Sequence, residues 1–197
     1  SAFYKLFQRS IYDKGNNFSR YTIPEVFKMY ARRRVNMLKF NLKKPWDEVT
    51  EGRFCIYALH TQPESSIDVS AAYFSDQLAL IQFITRSLPI THELFVKIHP
   101  TDIDGKTLNF YRAVKSIPGV KLIKSNVDSR SLVENSDIVF NLTGTMGYEA
   151  ALLQKNVITF AKNYYNALPT VHYCNTPPEL PKLVNKLITN KQLNQKI

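Results

Sequence analysis

An open, mostly parallel α/β sheet with helices on both faces is the fold class this sequence predicts, and three observations predict it. From about residue 52 onward, short apolar runs alternate with longer stretches of helical periodicity, the pattern of repeated strand–helix–strand crossovers. The runs are β-branched or aromatic in composition and bounded by Pro, Gly, Asp or Asn. A chain of 197 residues, 44% of them hydrophobic, suffices for one buried core plus an appendage.

Taken in order, residues 22–40 predict a helix: Thr22 can cap it, Pro24 suits an early helical position, and Val26, Tyr30, Val35 and Leu38 return at roughly helical spacing. Lys43-Lys44-Pro45-Trp46 breaks that pattern and marks a linker at 41–51, so the expected division is a basic segment over 1–51 and a regular domain over 52–197. Within the domain, strands are expected at 53–59, 93–98, 120–123, 137–142 and 156–160. Helices are expected between and after them at 70–87, 107–117, 129–135, 145–154 and 178–189. This is a Rossmann-like arrangement, whose ligands bind beyond the carboxyl ends of the strands.

The net charge of +10 is unevenly spread: residues 1–50 hold 11 Lys/Arg against 4 Asp/Glu. Such a segment suits a dense anion, whether nucleic acid, anionic lipid or acidic polymer, and equally suits a solvated helix face. No apolar stretch approaches the roughly 18 residues of a membrane span, and the two cysteines, Cys55 and Cys174, share no metal-ligand spacing. The expectation is a soluble, cytoplasmic protein.

Three strand ends carry chemistry. The run Asn141-Leu142-Thr143-Gly144-Thr145-Met146-Gly147-Tyr148-Glu149 directly follows Ile138-Val139-Phe140. Glycine and small hydroxyl residues at a strand-to-helix turn let backbone N–H groups approach a phosphate, with the helix dipole adding positive potential. Thr143 and Thr145 add hydroxyls, Gly147 keeps the first helical turn slim, and Glu149 stands one turn in, where a carboxylate can accept from ribose hydroxyls. The competing reading is an ordinary helix with Thr145 as N-cap and Glu149 as a surface acid. At the second end, His60-Thr61-Gln62-Pro63-Glu64-Ser65-Ser66 concentrates donors and acceptors, suiting either a ligand or a polar turn. At the third, Pro100 biases His99 toward extended geometry at the strand tip, where an imidazole can assist at a phosphate oxygen. His92 and His172 read as structural or surface residues.

Together His60-Thr61-Gln62-Pro63-Glu64, Lys97-Ile98-His99-Pro100, Ser136-Asp137 and the run from Thr143 to Ala150 resemble the capsule polysaccharide biosynthesis family, which includes retaining Kdo transferases with Gln-Pro and His-Pro motifs. The resemblance covers roughly residues 52–190. It implies one half of a GT-B glycosyltransferase, the C-terminal nucleotide-sugar-binding domain, with a CMP-Kdo-like donor, a glycan acceptor, no required metal or other cofactor, and peripheral contact at the inner membrane face or with polysaccharide-assembly proteins through the basic segment. It also implies His99, His60 and Glu64 in the chemistry, and Gln62, Pro63, Lys97, Pro100, Thr143, Gly144, Thr145, Gly147 and Glu149 around the nucleotide sugar. A complete enzyme of this kind needs a second domain of similar size, so the chain is expected to be a part of one.

Two other functions compete. A nucleotide-sugar epimerase shares the architecture and the phosphate turn, and a basic module could bind nucleic acid or anionic glycan without catalysis. The latter is disfavoured because Tyr57, Phe95 and Phe140 fall on strands expected to be buried rather than on a stacking surface. Asp102-Ile103-Asp104-Gly105 has the form of a metal-holding Asp-X-Asp pair, but its place between Pro100 and Gly105 suits a turn.

Overall fold

The computed structural model describes residues 46–60, 71–99 and 106–194, together with Phe27, Lys28, Ala31, Arg34, Val35 and Leu38. The chain divides into two compact units, Ser1–Val35 and Asn36–Ile197. The six early residues are all helical and exposed. The rest of the expected helix at 22–40 lies outside the described residues.

The second unit holds the sheet. Its strands are β1 (Arg53–Ala58), β2 (His92–Lys97), β3 (Val120–Ile123), β4 (Ile138–Asn141), β5 (Asn156–Thr159) and β6 (Val171–Tyr173). Every pairing is parallel and the spatial order is β3-β2-β1-β4-β5-β6. The order therefore reverses between β1 and β4, where crossovers leave in opposite directions and open a crevice at the carboxyl ends. Both faces are covered, as a parallel sheet requires. One core packs Leu80, Ile81 and Ile84 of α1 (Gln77–Ser87), Tyr111 and Val114 of α2 (Leu108–Lys115), and Val184 and Leu187 of α5 (Leu180–Asn194) against Cys55, Tyr57 and Phe140. The other packs Leu132 and Val133 of α3 (Ser129–Asn135) and Ala150 and Ala151 of α4 (Thr145–Leu152) against Phe54, Ile56 and Val139.

Differences from expectation have local causes. The stretch expected as one helix at 70–87 is a 3-10 turn at Ala72–Phe74, then α1, because the Asp76 carboxylate accepts from the N–H groups of Leu78 and Ala79 and starts a new helix there. Strand β6 was not expected: three residues are too few for a period, and only their pairing with Val157–Thr159 makes them a strand. The expected linker is in part a strap along the free edge of β3. The Asp47 N–H donates to the Leu122 carbonyl at 2.8 Å, its carboxylate accepts from the Leu122 N–H at 2.9 Å, and Lys115 pairs with it at 2.7 Å. Trp46 packs on the core beside it, and the strap occupies an edge otherwise open to pairing with another chain.

Candidate functional site

His60 follows β1, His99 follows β2, and Thr143 and Gly144 follow β4, so the three chemically loaded ends converge on the crevice. The convergence is electrostatic as well as topological: His99 and Lys106 both lie close enough to depress the pKa of His60. Burial is the largest cause of that depression and brings the imidazole to about 4, with the Asn141 side chain acting the other way. His60 is therefore neutral at pH 7. Its Nε2 accepts from the Leu142 N–H at 3.2 Å, which places the ring proton on Nδ1.

His60 is held from below. The Gln77 side chain accepts from the His60 N–H at 2.8 Å and donates to its carbonyl at 2.9 Å, while the buried Tyr57 hydroxyl donates to the same amide oxygen at 3.1 Å. With 6% of its surface exposed and Nε2 engaged, His60 shapes the β4–α4 turn, a positioning role. A Cβ on Gly144 would stand 3.0 Å from His60 Cε1 and 3.3 Å from Asn141 Oδ1, so a side chain fits there only if the imidazole gives by a few tenths of an ångström.

Asn141, the last residue of β4, organises the turn. Its Nδ2 donates to the Gly144 carbonyl and, at 2.8 Å, to the Tyr165 hydroxyl, which itself donates to Gly144 at 3.2 Å. Gly147 lies buried beneath: a Cβ there would be 2.7 Å from both Asn141 Nδ2 and the Tyr165 hydroxyl. From the β5–β6 loop, Asn163 Nδ2 donates to the Leu142 carbonyl at 2.8 Å. Burial raises the Tyr165 pKa to about 12, so the hydroxyl stays protonated and available as a donor.

What this framework presents is the N-terminus of α4. Helices α1, α2 and α3 are each capped by a side chain, from Asp76, Thr107 and Asp128 respectively. Helix α4 has Gly144 as its N-cap and no side-chain cap hydrogen bond. Thr145 is its first residue rather than its cap, and is exposed, as is Glu149 one turn on. Among the described residues no side chain caps the first turn of α4, and first-turn N–H groups at the positive end of a helix can receive an anion.

The remaining expected residues divide. His99 is exposed at the tip of β2. Lys97 is buried and donates to the carbonyls of Ser125 at 3.0 Å and Lys124 at 3.4 Å, tying β2 to the loop after β3; burial lowers its pKa, partly offset by Asp128. Gln62, Pro63, Glu64 and Pro100 lie outside the described residues, as does the Asp102–Asp104 pair. His92 is structural: its Nε2 lies 2.9 Å from Asp137 Oδ2 at the amino ends of the strands. Sequence reasoning missed Gln77, Lys106, Asn163 and Tyr165, and gave Asn141 no role of its own. An asparagine closing the apolar run Ile138-Val139-Phe140, and a glutamine heading the apolar run Leu78-Ala79-Leu80-Ile81, were available signals, since a buried amide needs partners. Lys106, held 5.1 Å over the Phe110 ring, left no such signal.

Known proteins place this architecture in context. A KpsC from Thermosulfurimonas dismutans, a beta Kdo 2,7 transferase, aligns over 91% of this chain and 56% of its own at a TM-score of 0.52 and 19% identity. A UDP-GlcNAc 2-epimerase from Methanocaldococcus jannaschii aligns over 81% and 44% at a TM-score of 0.52 and 17% identity. These likenesses are of fold, and the chain matches about half the length of each. The capsule polysaccharide modification protein LipA of Neisseria meningitidis serogroup B is 32% identical over 73 residues, 37% of this chain and 10% of that protein. Residues 5–169 match the family described as capsule polysaccharide biosynthesis protein, a span that takes in the strand tips, the uncapped helix and the loop clamped beneath it. The chain belongs to the capsule polysaccharide biosynthesis protein family.

Proposed function

We propose that this chain is the nucleotide-sugar-binding part of a glycosyltransferase that builds surface polysaccharide, with a CMP-Kdo-like donor. The observation that carries the reading is the α4 N-terminus, without a side-chain cap among the described residues, beside His60, His99 and Lys106, in a fold shared with a beta Kdo 2,7 transferase and a UDP-GlcNAc 2-epimerase. In this reading the phosphate of the donor sits on the first-turn N–H groups of α4. As the sugar–phosphate bond breaks, negative charge grows on the departing nucleotide, and preorganised amides and cations stabilise it without reorganising. Lys106 and the exposed His99 supply positive charge or a hydrogen bond at the same oxygens, and Glu149 accepts from the ribose hydroxyls. Neutral His60 keeps the turn in shape.

Calorimetric titration of the chain with CMP, UDP and GDP tests this. Saturable binding of one of them is expected, with CMP first, weakened about tenfold or more by Lys106→Ala or His99→Ala, the scale of losing a charge-assisted contact. Melting temperatures should hold in the His99 variant. Binding of none of the three, or affinities indifferent to both substitutions, would refute the proposal. In the presence of an acceptor glycan, isomerisation of the donor without transfer would point to the epimerase alternative.

A further inference from the structure

The β5–β6 loop carries a feature that the cradle does not use. Beyond the Asn163 and Tyr165 bonds to the turn, Asn166 closes the loop on itself: Nδ2 donates to the Ala161 carbonyl at 3.1 Å, and Oδ1 accepts from the Asn163 N–H at 3.3 Å. At the crest of this braced loop Tyr164 is 76% exposed, yet its ring is held in place. It stands perpendicular to Tyr165 at 5.1 Å between centroids and against Tyr148 of α4 at 5.5 Å. Large exposed rings are usually mobile. This one is fixed by two others, a single ring away from the residue that holds Gly144.

Helix α4 tells which end of a bound nucleotide sugar faces that ring. Residues turn by about 100° each along a helix, so Thr145, Glu149 and Leu152 form the outer ridge, all three exposed. Tyr148 and Met146 are the opposite flanks, both half-buried, and Glu149 lies nearer the Met146 flank. A ribose held by Glu149 draws the nucleoside toward the Met146 side. The group on the other ester oxygen of the same phosphate then leaves toward Tyr148 and Tyr164.

We infer that Tyr164, backed by Tyr148 and Tyr165, is the platform for the sugar ring of the nucleotide sugar. This rests on the proposed function, which puts the phosphate in the cradle. The chemistry fits: one face of a pyranose is lined with C–H bonds and stacks on an aromatic face, and a ring already immobilised by its neighbours loses little freedom on binding.

The experiment compares a free nucleotide with its sugar ester on wild type, Tyr164→Ala and Tyr164→Phe: CMP against CMP-N-acetylneuraminate, and UDP against UDP-N-acetylglucosamine. For the pair that binds, Tyr164→Ala should leave the free nucleotide within about twofold and weaken the sugar ester about three- to tenfold, the range of one aromatic contact. Tyr164→Phe should restore the ester, and both variants should melt with the wild type. Equal weakening of nucleotide and ester, or no weakening of either, overturns this inference and leaves the proposed function standing. Failure of the wild type to bind any of the four ligands overturns both.

Discussion

At the amino ends of the strands, His92 is wholly enclosed: Nε2 lies 2.9 Å from Asp137, Nδ1 lies 3.0 Å from the Thr91 hydroxyl, and Arg53 pairs with the same Asp137 oxygen at 3.1 Å. At the carboxyl ends, His60 is nearly as buried, but its neighbours include His99 and Lys106, and its Nε2 accepts from a backbone N–H. One end of the sheet balances charge of both signs and closes. The other brings Lys106 and His99 near His60, beside a helix terminus that no side chain caps among the described residues. Buried histidines thus take their meaning from what surrounds them: a carboxylate makes His92 a structural clasp, whereas burial, a backbone N–H donor and a nearby lysine keep His60 a neutral acceptor.

The contrast can be broken at either end. The largest effect is expected from Asp137→Ala, which strands His92 and Arg53 together; losing one partner of a buried ionic cluster costs about 3 kcal/mol or more. Denaturant unfolding should register that loss while nucleotide affinity of the folded protein stays unchanged. A matching fall in affinity would mean that the two ends are not independent.

A somewhat smaller effect is expected from acid at the other end. In the unfolded chain an imidazole binds its proton near pH 6.5, whereas folded His60 does so only near 4. Between those values the unfolded state carries more protons, so falling pH favours unfolding. The His60 contribution is intact above pH 6.5 and drains away toward pH 4, by roughly 3 kcal/mol in all. Stability measured across this window in wild type and in His60→Gln should show the steeper slope in wild type. Parallel curves would mean that the burial of His60 is not what the titration senses.

The smallest effect should come from Tyr57→Phe. Removing the hydroxyl that donates to Gln77 deletes one buried hydrogen bond, worth about 1 kcal/mol. Because Gln77 grips both backbone groups of His60, the same variant should weaken nucleotide binding slightly. Thermal melting together with titration reads both, and an affinity loss larger than that of Lys106→Ala would make the clasp, not the cations, the main determinant.

Much of this was legible before any coordinates. Five of the six strands lie where apolar runs met punctuating Pro, Gly, Asp and Asn, because a strand buried on both faces must be continuously apolar. The β4–α4 turn stood out for its glycines and hydroxyl residues, and the helix does begin at Thr145. What stayed hidden depends on distant partners. Gly147 reads locally as a slim helical turn, but its need comes from Asn141 and Tyr165 pressing against it. Tyr165 and Asn163 lie in a loop of ordinary composition, and their bonds to Gly144 and Leu142 span 21 residues.

By itself, then, the amino-acid order determined the alternation of elements, the parallel class of the sheet and the three strand tips to watch, since periodicity and turn chemistry act over a few neighbouring residues. Tertiary structure alone decided which histidine is a clasp to a carboxylate and which accepts from a backbone N–H, why Gly147 admits no side chain and Gly144 leaves little room for one, and that Lys106 lies near His60. Those outcomes follow from burial and charge between residues tens of positions apart, where desolvation and Coulomb forces act on distance in space and sequence spacing carries no information.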